Sequence, residues 1–124
     1  MLNPDSTKPI YVQIAEWIES EILNDHFHSG DKVYSQYQLA DMYTINPATA
    51  AKGLHLLVEE NVLYKKRGLG MFVAEGAKDL ILTKRKNQTL KVLVRELILE
   101  SARLQMTKSE LIELIMNTKE EEDQ

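Results

Sequence analysis

Three short blocks hold the side chains best placed to do chemistry, and in each the chemistry is recognition of a polyanion. Lys65-Lys66-Arg67 sets three cations ahead of Gly68-Leu69-Gly70, and glycines let a backbone turn tightly and approach a partner closely. Strand side chains alternate faces, so Lys65 and Arg67 share one face and Lys66 takes the other. Lys65 and Arg67 are therefore the expected phosphate or minor-groove contacts, with Gly68 and Gly70 at the turn. In the second block, Ala48, Thr49 and Lys52 follow Asn46-Pro47 at helical spacing. An alanine can touch a thymine methyl, a threonine hydroxyl a base edge or phosphate, and a lysine a guanine or phosphate. His55, one turn past Lys52, can reach the backbone. In the third block, Ser35, Gln36 and Tyr37 open a helix, whose first N–H groups suit a phosphate. The expected partner is double-stranded DNA. A fourth basic run, Lys84-Arg85-Lys86, reads as a solvated helix face or an ion-pair partner across a dimer.

Nothing comparable points to catalysis. The chain has no cysteine and three histidines. His26 and His28 share one turn without the carboxylate spacing of a metal site. Gly68-Leu69-Gly70 opens no helix, so it is not a nucleotide fingerprint. No enzyme activity, metal or cofactor is expected.

These side chains need elements to carry them. Residues 1–8 are polar with one proline, which predicts a loose lead-in. From Pro9, Ile10, Ile14, Trp17, Ile18, Ile22 and Leu23 recur at helical spacing. Pro9 suits the first turn, and His26 to Asp31 reads as the turn that follows. Ser35 with Gln38 forms a capping box, starting a short helix to about Tyr43 that can bury Leu39, Ala40 and Met42. Asn46 is a good N-cap and Pro47 a good first residue for a second helix to about Glu60, with Ala50, Leu54, Leu57 and Val58 as its buried stripe. Two short helices around a tight turn make a helix-turn-helix. The strands Val62–Lys66 and Met71–Ala74 then flank the glycine turn as a hairpin, or wing.

Past Glu75-Gly76 the composition changes. Residues 77–104 contain no Gly or Pro, and Leu90, Val94, Leu97, Ile98 and Leu104 fall on one side, with Leu93 nearby. Thr107 and Glu110 form a second capping box ahead of Leu111, Ile112, Leu114, Ile115 and Met116. Lys119 to Gln124 is an acidic tail, expected to fray. Two helices of this length cannot close a core alone. A second copy of the chain is the expected cover, meeting Leu90, Leu93, Val94, Leu97, Ile98, Leu104, Leu111, Ile112 and Ile115. The alternative is an intrachain helical cap. The expected fold is mainly α with a small β-hairpin (α+β). An N-terminal winged helix-turn-helix (1–75) is followed by a helical dimerisation region (76–124).

Charge tempers the reading. The formal net charge is −4, and in residues 1–76 six Lys/Arg face ten Asp/Glu. DNA binding should then rest on few phosphate contacts and be moderate in strength. No apolar run approaches the ~18 residues of a membrane span, and Met1-Leu2-Asn3-Pro4-Asp5 lacks a signal peptide's order. A cytoplasmic location without membrane contact is expected.

The order of blocks resembles the N-terminal domain of the GntR family of transcription regulators. Pro9-Ile10-Tyr11-Val12-Gln13-Ile14, Gly30-Asp31-Lys32-Val33, Leu39-Ala40 and Arg67-Gly68-Leu69-Gly70-Met71-Phe72-Val73 carry the likeness across residues 9–74. The Asn46-Pro47 helix start and the short C-terminal region are similar to the YtrA-type branch. The resemblance implies a homodimer that binds a palindromic operator, usually as a repressor and often at a transporter operon. Three positions depart from the pattern: Tyr37 stands where an arginine is common, Gly53 where an alanine is usual, and Leu69 where a lysine is frequent. Gly53 would cost its helix up to ~1 kcal/mol. A protein-interaction adaptor that keeps the winged scaffold with weakened DNA contacts is the competing reading. An unidentified small-molecule effector would need a cavity between subunits, because the C-terminal region is too short to enclose one.

Overall fold

The computed structural model describes residues 2–120; the acidic end of the expected frayed tail, 121–124, lies outside them. The chain forms two compact units, one through Thr83 and one from Lys84.

In the first unit, α1 (Ile10–Leu23) buries Ile14, Ala15, Ile18 and Ile22, the i, i+4 pattern of one helical face. Pro9 caps this helix rather than entering it. The lead-in is not loose. Gln13 is buried at its base, accepts from the Asn3 N–H at 2.6 Å and donates to the Asn3 and Lys8 carbonyls, each at 2.9 Å. An amide side chain has both a donor and an acceptor end, and here both are spent on the preceding segment.

Helix α2 (Gln36–Tyr43) starts at Ser35 with both halves of the capping box in place. Leu39 and Ala40 are buried, whereas Met42 stays 47% exposed because it lies off the buried side. Thr44 takes a left-handed conformation (φ 54°) and ends the helix. Helix α3 (Pro47–Glu59) follows at once, its Asn46 side chain accepting from the Ala48 N–H at 2.8 Å. Ala50, Gly53, Leu54 and Leu57 form its buried face, with Val58 partly buried against the core.

Gly53 proves to be a packing requirement rather than a propensity loss. A Cβ there would stand 2.7 Å from the Tyr11 carbonyl oxygen and 3.0 Å from Ile14 Cγ2. The missing side chain lets α3 lie against α1.

The hairpin pairs β1 (Leu63–Lys66) with β2 (Gly70–Val73) in antiparallel register, Leu63 opposite Val73 and Lys66 opposite Gly70. The turn is therefore Arg67-Gly68-Leu69, with Gly68 at φ 77° and the Leu69 N–H donating to the Lys66 carbonyl at 2.9 Å. The segment around Lys32 adds a third edge: Lys32 bridges Phe72, and the Val33 N–H donates to the Met71 carbonyl at 2.9 Å. Helix α4 (Ala77–Lys84) then places Ala77 and Ile81 in the same core. The first unit thus runs past the boundary expected after residue 75, because those two side chains fill it.

The second unit holds a π-helical segment (Arg85–Leu90), α5 (Lys91–Arg103) and α6 (Lys108–Asn117). The absence of Gly and Pro over residues 77–104 points to helix there, and the structure is helical but changes its winding midway. From Arg85 to Thr89 no apolar side chain pins the helical phase, and there the wider π turn appears. Thr107 and Glu110 form the second capping box. Ser101 and Leu111 are the buried residues of this unit among those described.

Candidate nucleic-acid interface

With Ala50, Gly53, Leu54 and Leu57 turned inward, the 100° helical step puts Ala48, Lys52, His55 and Glu59 on the opposite, exposed face of α3. Thr49 lies on its flank, half-buried. The Lys52 ammonium sits 4.2 Å from the centre of the Tyr11 ring, a cation–π distance. The close α1–α3 approach at Gly53 brings that ring within reach.

Ser35 is exposed, Gln36 half-buried and Tyr37 69% exposed at the start of α2. Behind them, Trp17 stacks on Tyr34 at 5.8 Å and meets Tyr43 edge-on at 5.5 Å, while Phe27 meets Tyr34 edge-on at 5.5 Å. This cluster holds α2 against α1. Burial, with the nearby Glu21 carboxylate, raises the Tyr43 hydroxyl above its ordinary pKa.

On the wing, Lys65 lies opposite Met71 and on the same side as the buried Leu63 and Val73, yet is itself exposed beyond the core. Arg67 lies in the turn rather than in the strand, so strand alternation does not set it on the Lys65 face as expected; it and Gly68 are exposed there, and Gly70 is half-buried at φ 114°. Lys66 projects from the other side, its ammonium 4.5 Å from the Phe72 ring, which itself stacks on Tyr64 at 5.9 Å. Lys32 joins that side, running past Gly70: a Cβ on Gly70 would come 2.9 Å from Lys32 Cε. Lys32 and Tyr11 join the candidate surface without having stood out in the sequence. Both sit in blocks noted only for likeness, Gly30-Asp31-Lys32 and Pro9-Ile10-Tyr11, and neither block is basic or periodic enough to stand out. At the base of the unit, the Lys78 ammonium 2.8 Å from Asp25 holds the Asp25 carboxyl below its ordinary pKa.

The second unit offers a different surface. Leu90, Leu93, Val94, Leu97, Ile98, Leu104, Ile112 and Ile115 are all exposed, and Met116 is 78% exposed. Leu111 differs from the expectation: it is buried, on the helix that packs against α5. Leu90, Val94, Ile98 and Leu99 line a groove edged by Lys86, Lys91 and Arg95. Among the described residues no cluster of His, Asp or Glu could hold a metal ion, and no helix is long and apolar enough to cross a membrane.

No family model matches the chain. It is 31% identical over 100 residues to the HTH-type transcriptional repressor YtrA of Bacillus subtilis (strain 168), a match covering 81% of this chain and 76% of that relative. Among solved structures it is similar to a transcriptional regulator of the GntR family from Bacteroides thetaiotaomicron. That likeness has a TM-score of 0.70 and 32% identity, and covers 87% of this chain and 94% of the other. It is also similar to the DNA-binding domain of AraR, solved in complex with an operator. There the TM-score is 0.54 and the identity 29%, covering 60% of this chain and 92% of that one.

Proposed function

The chain belongs to the GntR family of transcriptional regulators, and we propose that it is a YtrA-type repressor that binds a palindromic operator as a homodimer. The observation that carries the reading is the exposed face of α3, where Ala48 and Lys52 stand clear of the core at the helix start. A recognition helix enters the major groove by such residues. Thr49 contributes from the flank. Ser35, Gln36 and Tyr37 meet phosphate at the start of α2, and Lys65, Arg67, Gly68 and Gly70 bring the wing to the backbone or minor groove. The likeness to an operator-bound domain supports this assignment.

The second unit supports the dimer. Its exposed leucines, isoleucines and Val94 make a surface suited to a second copy, and a two-fold pair would present two α3 helices to two half-sites.

The test is a gel shift against the DNA upstream of the chain's own gene. Lys52→Ala and Arg67→Ala are each expected to weaken binding by about 1–3 kcal/mol if they touch base edges, and less if phosphate alone. Binding indifferent to both substitutions would sink the assignment.

A further inference from the structure

The wing carries cations on both faces, and the proposed DNA contacts include none of the cations on the Lys66 side. Residues directly opposite across antiparallel strands share a face. Phe72 is opposite Tyr64 on one side and Lys32 on the other, and two residues along, Lys66 is opposite Gly70. Tyr64, Phe72, Lys66, Gly70 and Lys32 therefore line one face. Lys32 Nζ lies 3.7 Å from where a Gly70 Cβ would be. That face thus carries two lysines, the Lys32 ammonium beside Gly70 and the Lys66 ammonium over the Phe72 ring. Both lysines are exposed, and among the described residues neither forms an ion pair.

We propose that this face is a second phosphate-binding surface, in which Lys32, from outside the hairpin, and Lys66 contact one DNA strand while Lys65 contacts the other, with Arg67 at the tip. The inference rests on the DNA-binding reading and deepens it. A minor groove about 6 Å wide is walled by two phosphate backbones, so a wing inserted there meets phosphate on both faces. Gly70 keeps the path of the Lys32 stem open, and the Phe72 ring holds the Lys66 ammonium at the surface.

Fluorescence anisotropy of the full chain across a salt series tests this. The probes are a labelled duplex of its own upstream region and a scrambled duplex of equal length. Lys32→Ala and Lys66→Ala are each expected to weaken binding to both duplexes about five- to tenfold and to flatten the log–log salt slope by about 1 per chain. Lys32→Arg should restore the slope. Lys8→Ala, whose lysine is paired with Glu16, should leave it unchanged. Unfolding midpoints equal to that of the unmodified chain establish that the variants fold. An unmodified chain that binds neither duplex overturns the DNA-binding reading and this one with it. An unmodified chain that binds, with Lys32→Ala keeping its full slope, overturns this inference alone. So does a loss confined to one of the two duplexes, which would mark a base contact.

Discussion

Two residues on the α1–α3 seam decide how α3 is presented. At Gly53 the sequence suggested a small helix penalty, and the structure reverses the sign. An alanine would drive its Cβ to within 2.7 Å of a backbone oxygen that cannot swing aside. Gly53→Ala is therefore expected to destabilise the chain by about 1–3 kcal/mol, as overpacking does, despite the ~1 kcal/mol it gains in helix propensity. A fall in the thermal midpoint checks this, and a rise would refute it. Tyr11 lies under Lys52. Its ring restrains a flexible ammonium on the exposed face of α3, an interaction worth roughly 0.5–1 kcal/mol at a surface. Tyr11→Leu should weaken DNA binding about two- to fivefold, whereas Tyr11→Phe should keep nearly all of it; equal losses in both would show that the hydroxyl matters, not the ring. Periodicity exposed Lys52 as a candidate because solvent-facing positions follow from the helical step. It could not expose Tyr11 or Lys32, whose proposed roles come from neighbours distant in sequence.

At the scale of elements, the helices announced themselves through their ends. Ser35 with Gln38, Asn46 with Pro47 and Thr107 with Glu110 are local signals, and each cap forms where those residues stand. Elements set by longer reach were harder to read. The strand-like edge at Lys32 depends on Phe72, forty residues later, and the π turn falls where no apolar side chain stands, between Arg85 and Thr89. One inter-element tie has a pH signature. Lys78 of α4 lowers the pKa of Asp25, at the end of α1, from the ordinary 3.8. A carboxyl with a depressed folded pKa adds stability above its unfolded value, and that contribution is lost as pH falls through the folded value. Both groups are exposed, so the effect is small. The stabilising difference between the unmodified chain and Lys78→Ala should be present near neutrality and fade below about pH 4. A difference that grows on acidification would contradict the tie.

The molecule as a whole divides its apolar surface unevenly. The first unit closes over Ile14, Ile18, Leu39, Leu57 and Ile81, and its organisation was legible because caps, turns and alternating strands agree along the chain. The second unit leaves Val94, Ile98, Ile112 and Ile115 in solvent, so its pattern reads as helix without saying what covers it. Val94→Glu with Ile98→Glu is expected to give a monomer by light scattering, with the first unit still folded and operator affinity sharply reduced. A double variant that keeps the dimer mass would place the interface elsewhere. On the proposed dimer, that uncovered surface would also tie the lifetime of the chain to its abundance. A copy made when few others exist waits longer with its leucines exposed, and proteases act on exposed and transiently open chains. In a pulse-chase comparison, lower gene dosage should shorten the half-life of the protein, so that its level falls more steeply than the dose.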